Sequence, residues 1–319
     1  MRTFMAQRNM DSMTKIGLSL HTAFNSVKKA WEKFGADHVV FCGEGRSWRK
    51  DYDTAYKRNR SEKRALQTPA EKEEMEDLFT MMNEFTEFID KKTNCTWLQQ
   101  QECEADDLVA GWIQTHPEDM HYIISTDKDF HQLLSNNVQQ FNPTQDFTYT
   151  INGVFDPDGG IAQKKKGKDM VDIECPDPEF SLFEKCIRGD KGDNVFPAYP
   201  GARMKSSKKA VGITEAYEDR INKGYAWNSF MNVKFPDKDD LKKDISVKTM
   251  YDRNMILVDL TAQPAYIKEK MAEVIEEKKN DDVKKMIGIQ FLRFTEMYDL
   301  KNLQQWPDKY VAFLSARNN

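Results

Sequence analysis

Two acidic stretches fix what this chain can fold into. Glu102-Cys103-Glu104-Ala105-Asp106-Asp107 follows the apolar pair Trp97-Leu98, and Ser125-Thr126-Asp127-Lys128-Asp129 follows Tyr122-Ile123-Ile124. A short apolar run bounded by polar residues reads as a buried strand. After each acidic stretch comes a helix start, Leu108-Val109-Ala110-Gly111-Trp112 and Phe130-His131-Gln132-Leu133-Leu134. Strands alternating with helices predict an α/β fold with a mainly parallel sheet flanked by helices. The acids then fall where strands hand over to helices, the edge at which open α/β sheets bind ligands.

Their spacing carries chemistry. Glu104 and Asp107 share one face of a helical turn. Asp127 and Asp129 point the same way in extended chain. A third group lies in Arg188-Gly189-Asp190-Lys191-Gly192-Asp193-Asn194. Converging carboxylates repel unless a cation neutralises them. Oxygen donors with no Cys chelate and one neighbouring His suit magnesium or manganese, not zinc. Two such ions roughly 4 Å apart are a usual arrangement for cutting phosphodiesters. The plainer reading is that Asp and Glu cap helix N-termini. Acid clusters at three separate element boundaries favour the metal reading. His131 beside Asp129 reads as structural.

The rest of the chain frames these groups. Ile16, Leu20, Phe24, Val27, Trp31 and Phe34 have helical spacing, with Gly35 as the stop, and His38–Cys42 is a strand whose end carries Glu44. From 46 to 66, Arg46, Arg49, Lys50, Lys57, Arg58, Arg60, Lys63 and Arg64 crowd around Trp48, Tyr52 and Tyr56. Bases that meet phosphates and rings that stack on unpaired bases suit a nucleic-acid surface; the alternative is a solvated charged loop. Pro69 opens a helix with Met75, Leu78, Phe79, Met82, Phe85 and Ile89 as its buried stripe. Gly159 to Lys168 reads as an exposed loop, and the chain from Pro176 onward as mostly helical.

A length of 319 residues allows an α/β core over 1–175 and a helical domain over 176–319, to which the resemblance described below assigns DNA binding. No run of about 18 apolar residues is present. The five cysteines form no Cys-x-x-Cys, which points to a reducing, cytoplasmic setting. A net charge of -5 argues against nucleic acid unless acids and bases are segregated, as they are here. The chain is expected to be a monomer.

Taken together, Glu104-Ala105-Asp106-Asp107, Ser125-Thr126-Asp127-Lys128-Asp129-Phe130, Gly189-Asp190-Lys191-Gly192-Asp193-Asn194 and the run from Trp48-Arg49-Lys50 to Tyr56-Lys57-Arg58-Asn59-Arg60 resemble the phage and bacterial 5′ nuclease, or flap endonuclease, family, most of all its T-even phage ribonuclease H branch. Order and spacing agree over roughly residues 1 to 195. The resemblance implies a PIN-like core and magnesium-dependent hydrolysis at 5′ ends and flaps of branched DNA and of RNA primers on DNA, with a role in phage replication. It also implies that Glu104, Asp106, Asp107 and Asp127 hold the first ion, that Asp129, Asp190 and Asp193 hold the second, and that Glu44 stands where the family has Asp. Lys57 and Arg60 resemble the family's basic gateway, and Arg2 is expected to help neutralise the phosphate. Arg46, Arg49, Lys50, Tyr56 and Arg58 are expected DNA contacts.

Two features depart from the family pattern. Met1-Arg2-Thr3-Phe4 matches a family helix, but the strand ending in a metal-binding Asp that precedes it in the family is missing here; either about twenty residues or fewer upstream of Met1 supply it, or this form lacks one ligand. Tyr199-Pro200-Gly201-Ala202-Arg203 with Lys208 and Lys209 is a loose match to a hairpin that holds duplex DNA, sometimes with potassium. Two other readings stand: a non-catalytic, structure-specific DNA-binding protein with an incomplete metal site, and a PIN-like endoribonuclease.

Overall fold

The computed structural model describes residues 10–208, 210–237 and 243–317. The expectations for Arg2 and Lys209 lie outside the described residues.

Helix α1 (Ser12–Phe34) begins where the Asp11 side chain accepts from Thr14 N at 2.9 Å and ends at Gly35, whose φ of 61° is a left-handed cap. Its buried stripe is Ile16, Leu20, Phe24 and Val27. After strand β1 (Val40–Cys42) the basic segment forms α2 (Arg49–Tyr52) and α3 (Arg58–Ala65). Helix α4 (Pro69–Lys92) starts in a capping box between Thr68 and Glu71. It buries Leu78, Met81, Phe88 and Ile89, while Phe79 is 44% exposed. The expected stripe holds at five of its six positions, with Leu78 and Ile89 buried and Met75, Met82 and Phe85 packed against the same cluster; Met81 and Phe88 join it, and Phe79 falls outside.

Strand β2 (Thr96–Leu98) pairs in parallel with β1, Phe41 opposite Trp97, and leads to α5 (Ala105–Thr115). Strand β3 (His121–Ile124) pairs in parallel with β4 (Val138–Asn142), Ile123 opposite Gln140. Beyond β4 the sheet continues antiparallel through β5 (Phe147–Thr150) and β6 (Gly153–Phe155). Parallel pairing is thus confined to the strand pairs whose ends carry the acids. The tight turns after β4 and β5 can only send the chain back antiparallel. The segment expected as a loop is an exposed antiparallel hairpin, β7 (Gln163–Lys166) and β8 (Asp169–Asp172), closed by Gly167 at φ 66°.

Helices α6 (Pro178–Arg188), α7 (Ile213–Glu218), α8 (Tyr225–Met231) and α9 (Val247–Val258) share a cluster of their own around Phe183, Ile187, Ile213, Phe230 and Met250. The helices after residue 264 return to the α/β body. Helix α10 (Ala265–Lys279) packs Ile267, Met271 and Ile275 against Trp48, Leu98 and Leu108. Helix α11 (Ile287–Met297), the short α12 (Lys301–Gln304) and α13 (Asp308–Ser315) bring Phe291, Leu303, Phe313 and Leu314 into the core around Phe24. Packing therefore groups 265–317 with the α/β body, not with the helical unit that begins near 176. An apolar stripe shows that a helix is buried on one side, but not against what. Among the described residues no helix is long and apolar enough to cross a membrane.

Candidate active site

The acids of the first two stretches, with Glu44, sit beyond the C-terminal end of a parallel strand or at the start of the helix that follows, whereas the turn carrying Asp190 and Asp193 follows α6. Glu44 lies just past β1, and its Oε2 accepts from Ala105 N at 3.3 Å, at the start of α5. Glu104 is the N-cap of α5 and forms a capping box with Asp107. Asp127 follows β3 and accepts from Asp129 N at 3.2 Å. The plain capping role is therefore real for these residues. It does not exhaust them, because Glu104, Asp106, Asp129, Asp190 and Asp193 line one cavity together with Arg49, Tyr56 and Lys185.

Basic side chains bridge the two halves of that cavity. Lys57 Nζ is ion-paired with Glu104 Oε1 and lies 3.5 Å from Asp193 Oδ2. Lys185 Nζ is ion-paired with Asp129 and lies 2.8 Å from Asp190 Oδ2. Tyr56 OH, with one proton to donate, lies 3.0 Å from Glu104 Oε2 and 3.2 Å from Asp193 Oδ2, and Arg60 also pairs with Asp193. Backbone bonds hold the same join: Lys57 N donates to Asp193 O at 2.8 Å, and Asn194 Nδ2 donates to Ala55 O at 2.7 Å. Lys57 (φ 54°) and Asn194 (φ 59°) are left-handed non-glycine residues facing one another across this seam, where local strain is held by its surroundings.

The charge balance is uneven. Burial pushes Glu104 up, but Lys57 and Arg49 outweigh it and hold its carboxyl below the usual range. Asp190 is also held low, because Lys185 and the amides of Gly192 and Asp193 overcome its burial. Asp106 goes the other way. Burial, then the neighbouring charge of Glu44, with Asp127 and Glu104 adding to it, raises it to about 7. Asp129 is raised by burial against the pull of Lys185. Lys57 and Lys185 are raised, since their acid partners outweigh burial.

Several expected surface contacts are internal instead. Arg49 is 1% exposed; its Nη1 donates to Asp107 Oδ2 at 2.9 Å and lies 3.3 Å from Glu104 Oε2, with the guanidinium stacked on Trp48. Tyr56 is 4% exposed. Neither can lie against a nucleic-acid backbone from outside, because the segment from 47 to 57 folds inward to neutralise buried acids. Asp107 is sealed, 0% exposed, between Arg49 and Gln263, so it braces the site without facing the cavity. Arg46 pairs with Asp51, and Arg58 with Glu62. Lys50 is half-buried on α2. Lys208 lies elsewhere, on a cavity of about 410 Å³ with Tyr199, Gly201, Arg203 and Lys205.

Sequence reasoning missed Ser47, which donates to Glu104 Oε2 at 2.9 Å, and Lys185. It also missed Gln140, whose Nε2 donates to Asp127 O at 2.7 Å and Ser125 O at 2.9 Å. A signal existed for Gln140: a polar residue at a buried strand position needs partners.

The family model described as "5′-3′ exonuclease, N-terminal resolvase-like domain" matches residues 1–159. Through that domain the chain belongs to the 5′-3′ exonuclease family. Family relatives agree along more of the chain. It is 27% identical over 240 residues to the flap endonuclease of Escherichia phage T5, covering 74% of this chain and 72% of the relative. It is 27% identical over 224 residues to the ribonuclease H of Enterobacteria phage T4, covering 64% of this chain and 65% of that one. A DNA polymerase I of Rhizobium leguminosarum is 29% identical over 184 residues, 57% of this chain but 15% of the polymerase. Among solved structures, the T5 protein co-crystallised with metal ions superposes with a TM-score of 0.57 at 21% identity, covering 83% of this chain and 96% of that chain. The T5 flap endonuclease in a pseudo-enzyme–product complex with DNA and metal ions gives a TM-score of 0.54 at 20% identity, covering 81% and 90%. These likenesses show the resolvase-like α/β fold of a family of nucleases.

The donors facing the cavity are carboxylate oxygens, which suit a hard divalent cation in kind. Among the described residues no group of three or more His, Cys, Asp or Glu side chains is drawn tightly enough to enclose an ion. The ammonium groups of Lys57 and Lys185 stand between pairs of carboxylates, while burial and the charge of Glu44 raise Asp106 to about 7.

Proposed function

We propose that this chain is a magnesium-dependent 5′ nuclease that hydrolyses phosphodiesters at 5′ ends and 5′ flaps of branched DNA and in RNA primers on DNA, within phage replication. The observation that carries the reading is the meeting of acids from separate parts of the chain, Glu104, Asp106, Asp129, Asp190 and Asp193, in one basic-rimmed cavity. On this reading Asp106, Glu104 and Asp127, with Glu44 beside them, hold one divalent cation, and Asp129, Asp190 and Asp193 hold another. Bound there, the cations would lower the pKa of an attacking water and stabilise the leaving oxygen. Lys57 and Arg60, already at the cavity, turn their cationic ends from Glu104 and Asp193 to the phosphate as its charge builds. The α/β body carries the chemistry, and the helical unit around α6 to α9, with Lys208, faces DNA.

Cleavage of a labelled 5′-flap oligonucleotide with and without Mg²⁺ tests this. Asp127→Ala should abolish cleavage while the fold is kept, and Lys57→Ala should slow it about a hundredfold while ion binding persists. Wild-type rates in Asp127→Ala would refute the assignment. Flap cutting by the native chain also separates this reading from a non-catalytic DNA-binding protein, and indifference to flap structure with preference for single-stranded RNA would favour the endoribonuclease.

A further inference from the structure

Helix α9 and the turn after it touch each half of the site at once. Asn254, 1% exposed, donates from Nδ2 to Cys186 O and to Phe196 O, each at 2.8 Å. Those carbonyls bracket the turn that carries Asp190 and Asp193. The first is at the C-terminal end of α6, where carbonyls have no helical partner. The turn itself is closed by Asp190 N to Val195 O at 2.9 Å and Val195 N to Asp190 O at 2.7 Å. At the other end of the same stretch, Leu260 N donates to Gln132 Oε1 at 2.9 Å. Gln132 Nε2 donates to Asp129 O at 2.9 Å and reaches Val258 O at 3.3 Å. Residues 254–260 thus form one hydrogen-bonded strut from the Asp190–Asp193 turn to the Asp129 turn.

We propose that Asn254 and Gln132 are positioning residues: through this strut they fix the separation of the two acidic turns and so set the affinity of the cavity for a divalent cation. The inference rests on the metal reading given above. Both amides act on main-chain atoms, so neither side chain needs to touch an ion. Loss of a partner that orients ligands typically costs tenfold or more in metal affinity, and a purely stabilising role would cost none once the protein is folded.

The test uses the full chain with Asn254→Leu and Gln132→Met, each close in size to the native residue but unable to make these bonds. Mn²⁺ binding is followed by electron paramagnetic resonance, and amide exchange by mass spectrometry. The Mn²⁺ concentration for half occupancy should rise about tenfold in either variant. Cleavage should recover at saturating Mn²⁺, and exchange at Asp190 and Val195 should quicken in Asn254→Leu. Phe291→Leu, a core change remote from the strut, should leave Mn²⁺ affinity unchanged. Native affinity in both folded strut variants, or an equal shift in Phe291→Leu, would overturn the proposal. If Asn254→Leu does not fold, Gln132→Met decides. A native chain that binds no Mn²⁺ would sink the metal reading; quickened exchange at Asp190 and Val195 would still uphold the positioning of the turn, and unchanged exchange would refute that as well.

Discussion

Lys185 Nζ stands 2.8 Å from Asp190 Oδ2 while paired on its other side with Asp129, so one ammonium group joins two acids more than sixty residues apart in the chain. It neutralises two carboxylates that would otherwise repel across the cavity.

Replacing Lys185 with Met should therefore destabilise the metal-free protein by about 2 kcal/mol, below the range for fully buried pairs because these side chains are 21% to 28% exposed. Divalent cations should restore more of that loss than they add to the native chain. Urea unfolding with and without Mn²⁺ measures both, and an unchanged metal-free midpoint would contradict the bridging role.

Arg49 presents a harsher case. Its partner Asp107 is 0% exposed, and removing the guanidinium leaves a carboxylate sealed away from water. Arg49→Met should cost about 3–5 kcal/mol, the usual loss when a buried pair is broken from one side. Arg49→Lys should recover only part: the two acid contacts come from one nitrogen, Nη1, but a lysine lacks the planar group that lies over the Trp48 ring. Denaturant titration of the two variants should rank them in that order; equal stability to the native chain would remove Arg49 from the core of the site.

Asp106 predicts a pH dependence. Its folded pKa, raised to about 7 by burial and then by Glu44, exceeds its unfolded value, so between roughly pH 4 and 7 the folded state holds a proton that the unfolded state has lost. Stability of the metal-free chain should therefore fall as pH rises through that window through this group, and level off above it. The depressed Glu104 and Asp190 act in the opposite sense, but at pH values below the ordinary carboxylate range. Asp106→Asn should flatten the fall. Thermal midpoints from pH 5 to 8 would show it, and parallel curves for the two proteins would exclude Asp106 as the cause.

The sequence by itself determined the strand-to-helix handovers. Local patterns specify local structure: Asp11 and Gly35 bound α1, Thr68 and Glu71 open α4, and the apolar runs before Glu104 and Asp127 become β2 and β3. It also placed the acids at the sheet edge, because side-chain periodicity and boundary residues are properties of short stretches. What needed the tertiary structure was who meets whom. Arg49 reads as one more base in an exposed run, yet burial beside Asp107 makes it an internal counterion. Lys185, Gln132 and Asn254 carry no local mark at all, since a hydrogen bond across 58 or 128 residues is fixed only when separate elements pack. The return of α10, α11 and α13 to the α/β body was hidden for the same reason: an apolar stripe states a need for burial, and only the folded chain decides which surface meets it.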